Sequence, residues 1–319
     1  MIESSLEFNV KIKGSKPCKM ACRVFENQQA STDGQTWFFQ HGGAHNSNCF
    51  DRLIAQIFAH VKSGHEVRRI ICGDLPGRNG SGLAEGLKLG QHTLSDFADS
   101  VDQVLLAVAK KYQKLDVVLG HSMGGLILQI LADRCKRRKT SFSFTYSTKK
   151  ILLLAPVLPK ELPWKYRTQH KYFTFAMSSL RWNPKLGWHF NFLHKNWKLY
   201  FCSDRKGQYS PQIDLIPMAE QESYYNRDSM RALFATVNFP PFWQPAVQRN
   251  SFVEDDLYFL SFEQDTFTWP EESQGLYKYL TADENMKHYK LLVGPEVSHN
   301  AFLCLSEQVA HEIYLLLNN

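Results

Sequence analysis

No run of apolar residues in this 319-residue sequence approaches the roughly 18 needed for a membrane-spanning helix. The opening stretch MIESSLEFNVKIKG has no basic head followed by an apolar core. It therefore predicts no secretory leader and a cytoplasmic protein. Internal repeats and low-complexity tracts are also missing, which excludes solenoid and fibrous architectures. Cysteine is sparse and odd in number: Cys18, Cys22, Cys49, Cys72, Cys135, Cys202 and Cys304 lie scattered, mostly among apolar neighbours. No disulfide framework fits that usage, and the thiols read as reduced. Cys18 and Cys22 would share one face of a strand, but no further Cys or His at ligand spacing accompanies them, so no metal is expected. A dinucleotide fingerprint, G-x-G-x-x-G after the first buried strand, is absent too.

What is present is core material and a rhythm. Hydrophobic residues make up 44% and charged residues 21%, enough for a large globular core. SLEFNVKIKG and CKMACRVFE alternate with period 2 and predict an N-terminal antiparallel hairpin turning near Gly14 to Pro17. Buried-strand signals follow at Thr36 to Gly43, Glu66 to Gly77, Leu115 to Leu119 and Lys149 to Pro156. Between them lie helical patterns from about Cys49 to Lys62, Leu94 to Tyr112 and Leu126 to Cys135. Strands and helices alternating at this spacing imply a mainly parallel sheet. From about Val157 to Asn250 the alternation stops, and it resumes with a strand at Asp256 to Asp265. A helix at Pro270 to Leu280, a strand at His288 to Pro295 and a last helix from Ala301 to Leu317 follow. The expected organisation is a core formed by 1–156 and 251–319, interrupted by an insertion at 157–250.

Residues 119 to 126, LGHSMGGL, place a serine directly after a buried strand and directly before a helix. The pattern is G-x-S-x-G, in which the serine sits on a sharp turn and a β-carbon at Gly120 or Gly124 would clash with the neighbouring strand or helix. The bland rival is a serine serving as a helix N-cap. Four further stretches bear on the choice: QHGGAH at the end of an early strand, DLPGRNGSG after the next one, SFEQD with Asp265, and EVSHNAF with His299. In this order the five features resemble the α/β-hydrolase superfamily over the whole chain apart from the insertion. The resemblance implies an α/β-hydrolase fold with an inserted cap.

The resemblance also implies roles. Ser122 is the expected nucleophile, His299 the base that takes its proton, and Asp265 the carboxylate that orients and stabilises the imidazolium. The N–H groups of Gly43 and Met123 are the expected oxyanion donors. His41 is expected to brace the oxyanion turn, and Ala44 departs from the commoner His-Gly-x-Gly pattern. Glu263, Asp255 and Asp256 compete with Asp265 as the acid, and His288 and His121 with His299 as the base. Serine at the elbow excludes the relatives that use aspartate there, the epoxide hydrolases and dehalogenases. Such chemistry calls for no cofactor.

Between Lys160 and Lys206 ten Lys or Arg face two acids, and the same window holds twelve aromatics. Two readings fit. Aromatics such as Trp164, Trp188 and Trp197 could wall an acyl pocket while the cations attract an anionic or amphiphilic ester, or an anionic membrane surface. Alternatively the aromatics pack the insertion onto the core and the lysines keep its outside solvated. Single-stranded nucleic acid would also suit the composition but ignores the triad. The expected activity is a serine esterase or lipase. A thioesterase, an acyltransferase and a non-catalytic binding protein on the same fold are the alternatives.

Overall fold

The computed structural model of the chain describes every residue except 13–15, 61–65, 163–178, 192–201, 205–207, 209, 226, 237–243 and 319. In chain order its elements begin with β1 (Ile2–Ile12), β2 (Lys16–Glu26), β3 (Gln35–Gln40), α1 (Asp51–Ala59), β4 (Val67–Gly73) and α2 (Leu94–Tyr112). They continue with β5 (Leu115–His121), α3 (Met123–Arg137), α4 (Phe142–Tyr146) and β6 (Thr148–Leu154). Next come β7 (Leu180–Asn183), β8 (Gly187–Phe190), α5 (Met218–Tyr224), β9 (Asp228–Ser229) and α6 (Met230–Thr236). The chain closes with β10 (Leu257–Phe262), α7 (Pro270–Thr281), β11 (Tyr289–Leu292), α8 (Ala301–Cys304) and α9 (Ser306–Asn318).

Eight strands form one sheet in the order β1-β2-β4-β3-β5-β6-β10-β11. The hairpin β1–β2 joins β4 antiparallel, and from β4 to β11 every pairing is parallel. Parallel strands covered by helices on both sides are apolar at every position rather than at every second one, which is why LDVVLGH reads as a continuous run. Alternate residues still go to opposite faces. Phe38, Ile71, Val118, Ile151, Leu153 and Phe259 pack with Val101 and Leu105 of α2. Trp37, Phe39, Ile70, Val117, Leu119, Leu152 and Leu260 pack with Leu53 of α1 and Ile313 of α9. Each such side chain contributes about 1.5–3 kcal/mol by leaving water.

Helix α2 begins and ends where its sequence does. Thr93 Oγ1 accepts from Asp96 N at 3.1 Å while Asp96 Oδ2 accepts from Thr93 N at 2.7 Å, a reciprocal cap, and Gln113 stops the helix at φ +65°. Other boundaries differ from the sequence reading. The helix expected from Cys49 opens as a 3-10 turn at Ser47–Phe50, and the final helix is two, broken at Leu305. The hairpin turn expected near Gly14 lies partly outside the described residues.

β7, β8 and β9 form a second, antiparallel sheet, which lies within 157–250. It leans on the core at the short turn Leu89–Gln91. Gly90 N donates to Leu186 O at 2.9 Å, and a β-carbon on Gly90 would fall 1.8 Å from the carbonyl oxygen of Trp188. Ser229 Oγ donates to His92 O nearby. Among the described residues no helix is long and apolar enough to cross a membrane.

Candidate active site

The elbow is built by a strained residue and by glycines that permit close approach. Ser122, between β5 and α3, has φ +52° and ψ −118°, a conformation that costs a non-glycine residue about 1–3 kcal/mol. Three backbone bonds hold it there. Ser122 N donates to Leu154 O at 3.0 Å, and its carbonyl accepts from Leu126 N and Val157 N, each at 3.2 Å. A β-carbon on Gly124 would lie 2.3 Å from Gln40 O, and one on Gly42 would lie 2.8 Å from Ser122 Cβ. Gly124→Ala is therefore expected to cost about 1–3 kcal/mol in urea unfolding, because backbone rather than a movable side chain stands in the way. An unchanged unfolding midpoint would show that the elbow can widen.

The carboxylate of Asp265, just past β10, is held at both oxygens. Oδ1 accepts from Phe267 N at 2.7 Å and Thr268 N at 2.9 Å, while Oδ2 lies 2.8 Å from His299 Nδ1. Both side chains are buried. The carboxylate thus fixes the proton on Nδ1 and turns Nε2 outward as an acceptor. The rival acids are occupied elsewhere. Asp255 accepts from the N–H groups of Phe142 and Ser143 at the start of α4, Glu263 accepts from Gly294 N, and Asp256 precedes β10 at its far end. His288, also at the far end, packs on Tyr258 with ring centroids 4.4 Å apart. His121 is tied to His299 itself: its Nε2 lies 3.2 Å from His299 O, and the two ring centroids are 4.9 Å apart. That bond brings the residue before Ser122 to the residue paired with Asp265.

The turn after β3 is braced from several sides. His41 Nδ1 lies 2.8 Å from Gly42 O, and His41 Nε2 accepts from Leu75 N at 3.2 Å. His45 Nδ1 lies 2.6 Å from Gly43 O, and its Nε2 faces Asn300 Nδ2 at 2.9 Å. A carbonyl opposite Nδ1 requires the proton there, so both rings are neutral Nδ1–H tautomers. Ala44, at φ +62°, sends its N–H to Asp228 Oδ2 at 2.7 Å. Burial, reinforced by the Arg78 guanidinium, pushes the His41 imidazole well below its usual range. Burial likewise takes His45 down to about 3 and drives His121 well below its usual range, with neighbouring histidines adding to both effects. The N–H groups of Gly43 and Met123 are spent on none of these bonds.

Residues that sequence reasoning missed are His45, Asn300, Arg78 and Asp228. Asn300 stands beside His299 and His45 within QHGGAH, so their neighbours pointed to them. Arg78 lies within the DLPGRNGSG stretch, but nothing local marks Asp228, which meets it across 150 positions of sequence. Trp188 is 51% exposed on β8 and paired across the hairpin with Trp182, whereas its neighbours His189 and Phe190 are buried. Trp164 and Trp197 lie outside the described residues. Among the described residues no group of three His, Cys, Asp or Glu could hold a metal, and all seven cysteines are free. A cavity of about 330 Å³ lined by Trp37, Asp116 and Lys149 opens at the amino ends of the strands, the edge opposite Ser122.

Among solved structures, a thermophilic esterase from Thermogutta terrifontis is similar over 98% of each chain, with a TM-score of 0.60 and 14% identity. Naproxen esterase from Bacillus subtilis is similar over 99% of this chain and 92% of its own, with a TM-score of 0.58 and 14% identity. The thioesterase domain from the curacin biosynthetic pathway gives 98% and 99% coverage, a TM-score of 0.55 and 14% identity. These likenesses concern the fold. No curated protein matches the chain. The model of the alpha/beta hydrolase family matches residues 38–312, a span running from β3 into α9 and holding Ser122, Asp265 and His299 together, and the chain belongs to that family.

Proposed function

We propose that the protein is a serine hydrolase of carboxylic ester-like acyl substrates, with Ser122, His299 and Asp265 as its triad. One observation carries this reading: a buried Asp265–His299 pair whose carboxylate is fixed by two backbone N–H groups at its other oxygen, linked through His121 to a strained elbow serine. A structural turn serine needs neither the strain nor the buried pair. In the reaction, Ser122 Oγ attacks the acyl carbonyl carbon as its proton passes to His299 Nε2. The oxyanion is met by the N–H groups of Gly43 and Met123, each such donor contributing roughly 3–4 kcal/mol. Collapse expels the alcohol, which takes the proton from His299. Water then attacks the Ser122 ester, gives its proton to His299 and releases the acid as Ser122 recovers a proton.

Among the described residues, support for an anionic or amphiphilic substrate, or for contact with an anionic membrane, comes from the exposed β7–β8 hairpin of the insertion. There Arg181 and Lys185 flank the exposed Trp182 and Trp188. The proposed insertion boundaries, 157–250, follow from where the core strands stop and resume.

A fluorophosphonate probe is expected to label Ser122, with peptide mapping as the readout, and p-nitrophenyl esters from acetate to palmitate are expected to turn over. No labelling and no turnover would leave a binding protein on a hydrolase fold. Labelling with turnover only of thioesters, or only when an alcohol acceptor is added, would favour the thioesterase or acyltransferase.

A further inference from the structure

We propose that Asp228, supplied by the segment between β6 and β10, is a positioning residue for the oxyanion turn and acts there together with Arg78. The inference rests on the hydrolase reading above and adds a residue to it. Asp228 and Arg78 are both wholly buried. Arg78 Nη2 donates to Asp228 Oδ1 at 2.5 Å, and Arg78 Nε donates to His45 O at 3.2 Å. Ser229 N donates to the same Oδ1 at 2.7 Å, which leaves Oδ2 for Ala44 N, also at 2.7 Å.

The consequence falls on Gly43. A trans peptide is planar, so fixing its C=O fixes the N–H on its other side. The peptide between Gly42 and Gly43 is held by His41 at the Gly42 carbonyl, which sets the direction of the Gly43 N–H. The peptide between Gly43 and Ala44 is held at both ends: His45 takes the carbonyl and Asp228 takes the N–H. Without Asp228, this second peptide keeps one anchor of two, and Ala44 must hold φ +62° with nothing on its N–H. Movement of that peptide shifts the Gly43 Cα and so displaces the Gly43 N–H from the carbonyl oxygen it has to meet. Crowding points the same way, since a β-carbon on Gly43 would lie 3.3 Å from Asp228 Oδ2. Arg78 neutralises the carboxylate and fixes its rotation, so that Oδ2 and not Oδ1 faces the turn.

Removing one charge alone strands the other in the interior, and such a variant could simply unfold. Two double variants avoid this. Arg78→Met with Asp228→Asn carries no buried charge and keeps an acceptor for Ala44 N–H; Arg78→Met with Asp228→Leu carries neither charge nor acceptor. Each is assayed below its own unfolding midpoint for kcat, for KM, and for the affinity of a trifluoromethyl ketone, which forms an oxyanion on the serine. The Leu double is expected to lose on the order of a hundredfold in kcat and in ketone affinity, with little change in KM, relative to the Asn double. Equal kcat and equal ketone affinity in the two doubles would overturn the proposal and leave the pair as a tie between insertion and core. If the wild-type protein neither labels with fluorophosphonate nor turns over esters, the hydrolase reading itself has failed, which the wild type shows before any variant is made.

Discussion

Ser122→Ala is expected to lower kcat/KM for an ester substrate by on the order of 10⁴ to 10⁶ while leaving the fold in place. The size of the loss follows from the way the group works. In the proposed triad Asp265, fixed by its two backbone donors, holds His299, and His299 takes the proton from Ser122 Oγ. Without the hydroxyl the remainder of the site can bind but has nothing to activate. His299→Ala should therefore cost about as much, and the double variant scarcely more than either single one. Stability should move by less than about 0.5 kcal/mol in the serine variant, since alanine takes the same backbone strain and differs from serine by a single oxygen. Activity retained above a few per cent in Ser122→Ala would show that the nucleophile is another residue.

Acid is expected to unfold the protein through its histidines. His41, His45 and His121 are fully buried and neutral, and burial holds all three below the ordinary value of 6.5. In the unfolded chain each imidazole takes up a proton near 6.5, so below that pH the unfolded state binds more protons than the folded one, and stability falls as pH falls. The loss begins at about 6.5 and continues until the folded groups protonate, for His45 near 3. Between pH 7.5 and 5.5 each group contributes about 1.4 kcal/mol, so the three together remove about 4 kcal/mol. Burial raises the carboxyls of Asp51, Asp74, Asp99 and Asp255 and so acts in the opposite sense, but only nearer the carboxylate range. Urea unfolding at the two pH values, with proton uptake on unfolding measured by titration, tests this. A stability that does not change across that window would mean that the buried imidazoles are already compensated.

The parts of the molecule legible in the sequence are those written locally. α2 was readable from residue to residue because Thr93 and Asp96 cap it reciprocally. The elbow was readable because a strand, a serine between small residues and a helix follow one another without a gap. Asp265 and His299 stand out in the sequence because each falls between a strand and the helix that follows it. The break at Leu305 was not, since AFLCLSEQ contains neither Gly nor Pro and only Ser306 with its following acid hints at a new start. The exposure of Trp188 was not legible, because composition counts aromatics without saying how deeply each is buried. The pairing of Arg78 with Asp228 was invisible for a deeper reason: a salt bridge across 150 positions leaves no periodicity, and Asp228 alone looks like ordinary surface charge.

The site draws on loops spread along almost the whole chain, and His121 meets His299 across 178 positions. Order of synthesis therefore separates nucleophile from base. As the chain emerges, the elbow serine, its strand and the oxyanion turn are complete long before the strand that delivers Asp265, and the loop bearing His299 comes later still. A growing or truncated chain that stops before β11 carries a serine hydroxyl with no imidazole to take its proton. On the proposed triad the protein is thus chemically silent until the sheet has closed on its last strand.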